Sequence, residues 1–409
     1  MDRKTLETLQ DLLSQKSDAA YQPVFFDLDN ESDCQTLENL KITGQISQTV
    51  DSIPEALEDL FRIHQPYIGQ TTPEYKKSLQ KYTELYANGH DLLEKGVWAY
   101  FPWRKTLVHL PNKDDYYILR TARNKFLIET DEQDAFYNAR IGLAGLSVGS
   151  SVLQAITLSG GSSKMRIADL DTLSITNLNR LPGSVCDLTT AKSLMAARKV
   201  YELDPFSELE VFPNGLDENN FDEFFVNNGK IDLFIEEMDN IRMKIVSRFK
   251  ARELGIPVVM ATDNGDNTMI DVERFDLEPD RPLFHGKVDE EKLRNTAHEL
   301  NLADRVKLAN AIVGPDVTYR MQRSLTLVGS QLPAWPQLGN AALLSGVAVS
   351  YIARRIVNGQ PMPSGRYEVH LDSLLDEEYH SNEANLYRAE QKEEFINGFN
   401  LLYAEEEHD

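Results

Sequence analysis

A chain of 409 residues can bury a substantial core and has room for two units. Its apolar fraction of 41% and charged fraction of 26% are those of a soluble globular protein, and no apolar run approaches the roughly 18 residues that a membrane span needs. A net charge of −23 excludes sequence-independent binding to DNA or RNA, which needs clustered lysines and arginines, while leaving room for a local basic pocket. Only Cys34 and Cys186 are present, which excludes a disulfide framework and points to a reducing compartment, the cytoplasm by default.

The opening stretch, MDRKTLETLQDLLSQKSD, alternates charge with leucine and reads as an amphipathic helix, not as a signal peptide. Residues 1–115 read as an N-terminal α+β domain with an accessory or partner-binding role. Tyr21–Leu28 is strand-like, Ile53–His64 has helical spacing with an acidic outer face, and Pro73–Gly96 reads as a helix pair stopped at Gly96. Val97–Leu110 (VWAYFPWRKTLVHL) suits one or two strands. Its Trp98, Tyr100, Phe101 and Trp103 form either a binding surface or, as such clusters commonly do, a core seam. Tyr116–Phe126 (YYILRTARNKF) reads as a helix presenting Arg120 and Arg123 at i and i+3.

Arg140–Ala144 is a short apolar run, followed by the small-residue turn Gly145-Leu146-Ser147-Val148-Gly149-Ser150. Ser151–Leu158 continues as a helix with Val152, Leu153 and Ile156 on one face, and Met165–Ala168 is a second run closed by Asp169. Strand, tight turn, helix, strand, acid is the opening of a dinucleotide-type βαβ unit. Small residues let backbone N–H groups approach a phosphate at the positive end of the helix. The glycines alone are a weak signal, because serine stands at 147 and 150 where GxGxxG has glycine. The stronger signal begins at the end of the second run, with Asp169-Leu170-Asp171-Thr172-Leu173-Ser174-Ile175-Thr176-Asn177-Leu178-Asn179-Arg180. Two carboxylates, two amides and a guanidinium beyond the second strand make a surface for a triphosphate; a nicotinamide has no use for them. Arg180 supplies a planar, permanently charged fork that suits phosphate oxygens.

This stretch, DLDTLSITNLNR, is similar to the DxDxVxxSNLNRQ signature of the ThiF/MoeB/HesA adenylating enzymes, the superfamily that includes the ubiquitin-activating enzymes. The resemblance covers roughly Arg120 to Gly359. It implies an α/β fold with a Rossmann-like, mostly parallel sheet and helices on both faces, spanning 116–372. It also implies transfer of AMP from ATP to a carboxylate, with Mg²⁺, often at the C-terminus of a small protein or peptide, in a homodimer. Gly145, Ser147, Gly149 and Ser150 would then offer backbone donors, Asp169 the ribose contact with Asp171 beside it, and Asn177 and Arg180 the phosphate contacts. RTARNK resembles the family's RxxRQ-like arm, making Arg123, and after it Arg120, the arginine that reaches the phosphates across a dimer interface.

After Arg180, a Pro-Gly loop leads into the helix Ala191–Leu203 with Lys192 in its first turn. A cation there opposes the helix dipole and suggests a bound anion; the family carries a phosphate-contacting lysine at this place. Tyr201–Val211 ends the helix and starts a third strand, Phe221–Asn228 is a short helix, and Ile231–Ile235 a fourth, buried strand. Glu236-Glu237-Met238-Asp239-Asn240 stands at its carboxyl end, where ligands bind in open parallel sheets. Asp239 and Asn240 match the family's xxDN element, whose Asp lies beside the phosphates and magnesium, and Glu236 and Glu237 add oxygen ligands for Mg²⁺. Asp239 also suits the N-cap of the helix Ile241–Leu254.

Gly255–Ala261 is a fifth strand, and Thr262–Asn267 a turn cluster whose Asp263 either touches substrate or shapes the turn. Ile270–Asp276 alternates like a half-buried strand. Between Pro279 and Gln337 family members hold either zinc-binding CxxC pairs or a thioester cysteine. No cysteine follows Cys186 here, so neither zinc nor a late thioester is expected; Cys186 itself has no base nearby. Leu338–Gly359 reads as an apolar closing helix, 366–372 as a last strand, and 373–409 as an acidic tail of peripheral helix. The product is then an acyl-adenylate passed to an external thiol, sulfide or amine. Two readings compete: an NAD(P)-dependent oxidoreductase on the same βαβ unit, and a catalytically silent scaffold that keeps the fold after losing two glycines.

Overall fold

The structure, a computed structural model, describes residue 5 and residues 19–295 and 302–404. The rest of the amphipathic helix expected at the N-terminus, and the last acidic residues, lie outside the described residues. Two compact units are present, Met1–Thr130 with Ala197–Phe206, and Asp131–Ala196 with Ser207–Asp409.

The first unit holds a four-stranded sheet of β1 (Val24–Phe26), β2 (Gln48–Asp51), β3 (Val97–Phe101) and β4 (Thr106–Leu110), in the order β1-β3-β4-β2. Ile53–His64 is the helix its spacing predicts, and it buries Ile53, Leu57 and Leu60. The unit runs past residue 115 because the helix Lys113–Thr121 sets Ile118 and Leu119 against that same apolar face. Tyr100 and Phe101 are buried, and Trp98 and Trp103 pack beside them. That is core, since aromatic rings contribute most of the burial available to a small sheet. Arg120 pairs with Asp204 at 3.5 Å. Arg123 stands exposed in the turn beyond the helix end, not on the helix itself.

The second unit is built on a seven-stranded sheet: β5 (Arg140–Ala144), β6 (Lys164–Ala168), β7 (Glu208–Phe212), β8 (Leu233–Glu236), β9 (Val258–Asn264), β10 (Asn267–Glu273) and β11 (Gly365–Val369). Their order is β11-β10-β9-β8-β5-β6-β7. The five strands from β9 to β7 run parallel, and β10 and β11 pair antiparallel at one edge. This is a Rossmann-like mixed sheet flanked by helices. Apolar runs buried on both faces are what parallel strands require, and Leu233, Phe234 and Ile235 of β8 are all inaccessible. Thr262–Asn267, read from sequence as a turn cluster, is mostly strand: β9 and β10 form a hairpin about Gly265-Asp266, with Asn264 opposite Asn267. The helix Gly339–Val357 packs along the helix Val148–Leu158 and on β9 and β10. Gly346 makes that crossing close, since a Cβ there would meet the Ser151 backbone at 2.6 Å. Among the described residues no helix is long and apolar enough to cross a membrane.

Candidate active site

The carboxyl ends of β5, β8 and β9 open onto a cleft of about 1110 Å³, the place where open parallel sheets bind ligands. Ser147 and Val148 line it from the turn after β5, Glu237 to Lys244 from the end of β8, and Met260 to Asp263 from β9. Arg180, and the apolar residues Ala309, Ile312, Val313, Ala334 and Trp335, close the other sides.

The turn after β5 is fixed by contact as much as by flexibility. Gly145 has φ +93°, and a Cβ there would lie 2.3 Å from the Glu237 carbonyl oxygen, so only glycine fits. Gly149 is buried inside the helix Val148–Leu158. Ser150 points into the same helix, its Oγ donating to Leu146 O at 2.6 Å. Ser147 is the N-terminal boundary residue of the helix and its Oγ caps nothing; instead it accepts from Arg180 Nε at 3.3 Å. The serine that stands in place of a motif glycine therefore holds the arginine.

Arg180 has only neutral oxygens as partners. Besides Ser147 Oγ, its Nη1 donates to Thr176 O at 3.2 Å and Asn179 Oδ1 at 3.0 Å. Among the described residues no carboxylate lies within ion-pair distance of it. The loop carrying it is anchored where Asn179 Nδ2 donates to Gln337 O at 2.8 Å. Asn177 is turned into its own loop, its Oδ1 accepting from Ser174 N and Ser174 Oγ, both at 3.1 Å.

Lys192 differs. Loop 171–192 folds back on itself, with Leu173 N donating to Thr190 O and Lys192 N to Asp171 O, both at 2.9 Å. That brings the buried Lys192 Nζ to 2.8 Å from Asp171 Oδ2. The anion that its place in the helix called for is, in this structure, the Asp171 carboxylate, and neither residue lines the cleft. Asp169 lies beneath the turn, its Oδ2 accepting from Leu146 N at 2.6 Å and its Oδ1 from Asp171 N at 2.8 Å. Burial holds its carboxyl above the ordinary value, against those two N–H groups and the Lys192 charge.

Asp239 is exposed at the lip of the cleft, and its side chain has no partner among the described residues. The helix cap that sequence offered to it is made by Asn240, whose Oδ1 accepts from Met243 N at 3.2 Å. Of the residues singled out from sequence, the structure therefore brings Ser147, Arg180, Glu237, Asp239, Asn240 and Asp263 to one cleft. Gly145, Gly149, Ser150, Asp169, Asp171, Asn177 and Lys192 are not among its lining residues, and Arg123 belongs to the other unit.

The two glutamates before Asp239 have opposite environments. Glu236 is buried, and Lys244 Nζ reaches it at 2.8 Å alongside the inaccessible Arg248, which also donates to Glu273 at 2.8 Å. Burial pushes its carboxyl up, but Lys244 and Arg248 outweigh that and hold it below the ordinary value. It is not free to hold a metal. Glu237, also buried, accepts from Ala261 N at 2.8 Å and has no other hydrogen-bond donor among the described residues, and burial pushes it well above the carboxylate range. Asp263, from β9, accepts from Ser345 Oγ at 3.2 Å and Gln337 Nε2 at 3.3 Å. Burial pushes it up to about 6, with Arg180 opposing and Asp239 reinforcing.

Sequence reasoning missed Gln337 and Trp335 as cleft residues, offered Glu237 only as a companion of Glu236 toward Mg²⁺, and left Asp263 open. The one available signal was two consecutive acids at a strand end, where alternation sends one of them inward. For Mg²⁺, the described residues hold no group of three His, Cys, Asp or Glu side chains. This ion commonly takes one or two carboxylates and draws its other ligands from substrate phosphates and water, and the unpartnered Asp239 fits that demand.

A model of the ThiF family matches residues 121–327. The uncharacterized protein MT1398 of Mycobacterium tuberculosis (strain CDC 1551 / Oshkosh) is 36% identical over 291 residues, which are 70% of this chain and 39% of that protein. The chain thus spans well under half the length of that relative. Among solved structures, Escherichia coli tRNA N6-threonylcarbamoyladenosine dehydratase, TcdA, in complex with AMP is matched over 59% of this chain and 96% of that one, at 15% identity and a TM-score of 0.41. E. coli MccB with ATP is matched over 77% and 83%, at 11% identity and a TM-score of 0.44.

Proposed function

We propose a function from the premise that the chain belongs to the ThiF family. It is an ATP-dependent adenylating enzyme whose acceptor is a carboxylate at the end of a small protein or peptide. The observation that supports this best is Arg180: a half-buried guanidinium on a cleft at the positive end of a helix, held by neutral oxygens, with Asp239, which has no partner among the described residues, lining the same cleft. A fixed cation without a protein anion is matched to a phosphate ligand.

An oxygen of the acceptor carboxylate attacks the α-phosphorus of ATP, the bond from that phosphorus to the bridging oxygen breaks, and pyrophosphate leaves with the electron pair. Within the turn Gly145–Ser150, the backbone N–H groups of Ser147 to Gly149 contribute donors, since Gly145 N and Leu146 N already donate to Ala168 O and Asp169, and Arg180 neutralises phosphate oxygens as negative charge shifts to the leaving group. Asp169 keeps lone pairs for a ribose hydroxyl beyond the two N–H groups it accepts. Lys192 reaches a phosphate only by exchanging Asp171 for it, so its first contribution is to fix the loop. Mg²⁺, held by Asp239 and the phosphates themselves, would supply further neutralisation of the triphosphate. Arg123 remains a phosphate contact by the likeness of its arm, in a homodimer. The family's late cysteine is missing, so the acyl-adenylate passes to an external nucleophile. The free Cys34 and Cys186 suit a reducing compartment.

The silent-scaffold reading rests on the two serines, and the bond from Arg180 to Ser147 supports the enzyme reading against it. The test is acceptor-dependent ATP–pyrophosphate exchange with the full chain and peptides bearing a free C-terminal carboxylate. Arg180→Ala and Asp239→Ala should each lower it at least about 10²-fold without unfolding the protein. Wild-type exchange in both would overturn the assignment.

A further inference from the structure

The cleft has a polar end and an apolar wall, and adenylation of a carboxylate, on which this inference rests, accounts only for the polar end. The wall is made by Ala309, Ile312 and Val313 from the helix Leu302–Val313 and by Ala334 and Trp335 from the loop ahead of the helix Gly339–Val357, with Met260 of β9 also lining the cleft. It is firmly backed. Trp335 and Val313 pack on the cluster of Met269, Val317 and Met321, and Ile312 belongs to the main core. A preorganised apolar wall inside a ligand cleft that also holds Arg180, Asp239, Arg242 and Asp263 selects an apolar group carried next to a charged one.

Sheet order decides which substrate brings that group. The glycine turn follows β5, and Asp169, the proposed ribose contact, ends β6 on one side of it. The wall and Asp263 lie on the other side, beyond β8, where β9 ends. A nucleotide with its phosphates over the turn and its ribose toward β6 extends away from the wall. That leaves the wall to the acceptor. We propose that the acceptor's C-terminal residue carries a bulky apolar or aromatic side chain, which packs on Trp335, Ile312 and Val313 while its carboxylate meets the α-phosphorus near Arg180. A glycine-ended tail would leave this surface uncovered.

The test uses the full chain, Mg-ATP, and four heptapeptides identical except for a terminal Phe, Leu, Asn or Gly with a free carboxylate. Pyrophosphate release is measured alongside calorimetric ATP binding. Release with Phe or Leu should exceed that with Gly by at least about tenfold, the scale on which an apolar pocket discriminates side chains. Trp335→Ala should erase the preference and leave ATP affinity where it was. Should that variant melt early, Ala309→Phe, which fills the pocket instead of emptying it, should cut release with the Phe peptide at least about tenfold more than release with the Gly peptide. Equal use of the Gly peptide overturns the inference. So does loss of ATP affinity in Trp335→Ala, which would give the wall to the adenine, or ATP binding with no release from any peptide. A full chain that binds no ATP overturns the adenylation reading itself, a result distinct from these three.

Discussion

The two sides of the cleft are held in place by different forces. From Gly145 to Arg180 the positions are set by backbone contact and hydrogen bonds: a glycine pressed on the Glu237 carbonyl, a loop tied by N–H groups to Asp169, a serine side chain bonded to an arginine. From Ala309 to Gln337 they are set by packing of side chains far apart in sequence, as when Trp335 and Val317 meet Met269 of β10. Hydrogen-bonded turns fix directions within a short stretch of chain, whereas apolar contact fixes only a surface. The first side therefore orients charge and the second excludes or admits bulk. The floor beneath both shows the same contrast in two consecutive residues: Glu236 is ion-paired with two cations, while Glu237, among the described residues, has no ion pair and feels Lys244 only from farther off.

Breaking the floor should have the largest effect. Arg248→Ala leaves Glu236 and Glu273 buried with one cation, Lys244, between them, and should cost about 3–5 kcal/mol in denaturant unfolding. A loss below about 1 kcal/mol would mean water reaches Glu236 and the contrast with Glu237 is weaker than drawn. Next comes Asp263→Asn. The native carboxyl titrates near 6, above its ordinary value of about 4. Between those values the folded state binds more protons than the unfolded one, so stability falls as pH rises. The penalty, up to about 3 kcal/mol, is fully present above the native value. The amide should raise stability at pH 8 by about 1–3 kcal/mol and flatten the dependence between roughly pH 4 and 6. Melting curves across that range check both.

The smallest effect sharpens the reading of Asp239. Asn240→Ala removes the cap on Met243 N and should cost about 1 kcal/mol, while Asp239→Ala should leave melting unchanged and lose ATP-dependent activity. The reverse pattern would return Asp239 to a structural role.

Much of the fold was legible in the sequence because its signals are local. Arg140–Ala144, the turn and the helix to Leu158 are adjacent in chain and in space, and the apolar runs of β6 and β8 are short and unbroken. Arg180 and Asp239 could be singled out since each stands at a strand end or the loop beyond it. Burial and pairing were not legible. Nothing in DLD and TTAK says that Asp171 and Lys192 meet, because the fold-back of the loop brings them together. Asp239 and Asn240 are equally good caps by type, and backbone direction chose the second. Trp335 sits in a stretch without periodicity, and only the tertiary packing of the β10 region turns it toward the cleft.

The central claim, that Arg180 faces a triphosphate, is tested most directly by titrating the full chain with Mg-ATP in a calorimeter, beside Arg180→Ala and with NADH as the rival ligand. The wild-type chain should bind ATP and not NADH, and the variant should bind ATP at least about tenfold more weakly, the worth of one charge-assisted hydrogen bond. ATP bound equally well by the variant, or NADH bound where ATP is not, would contradict it.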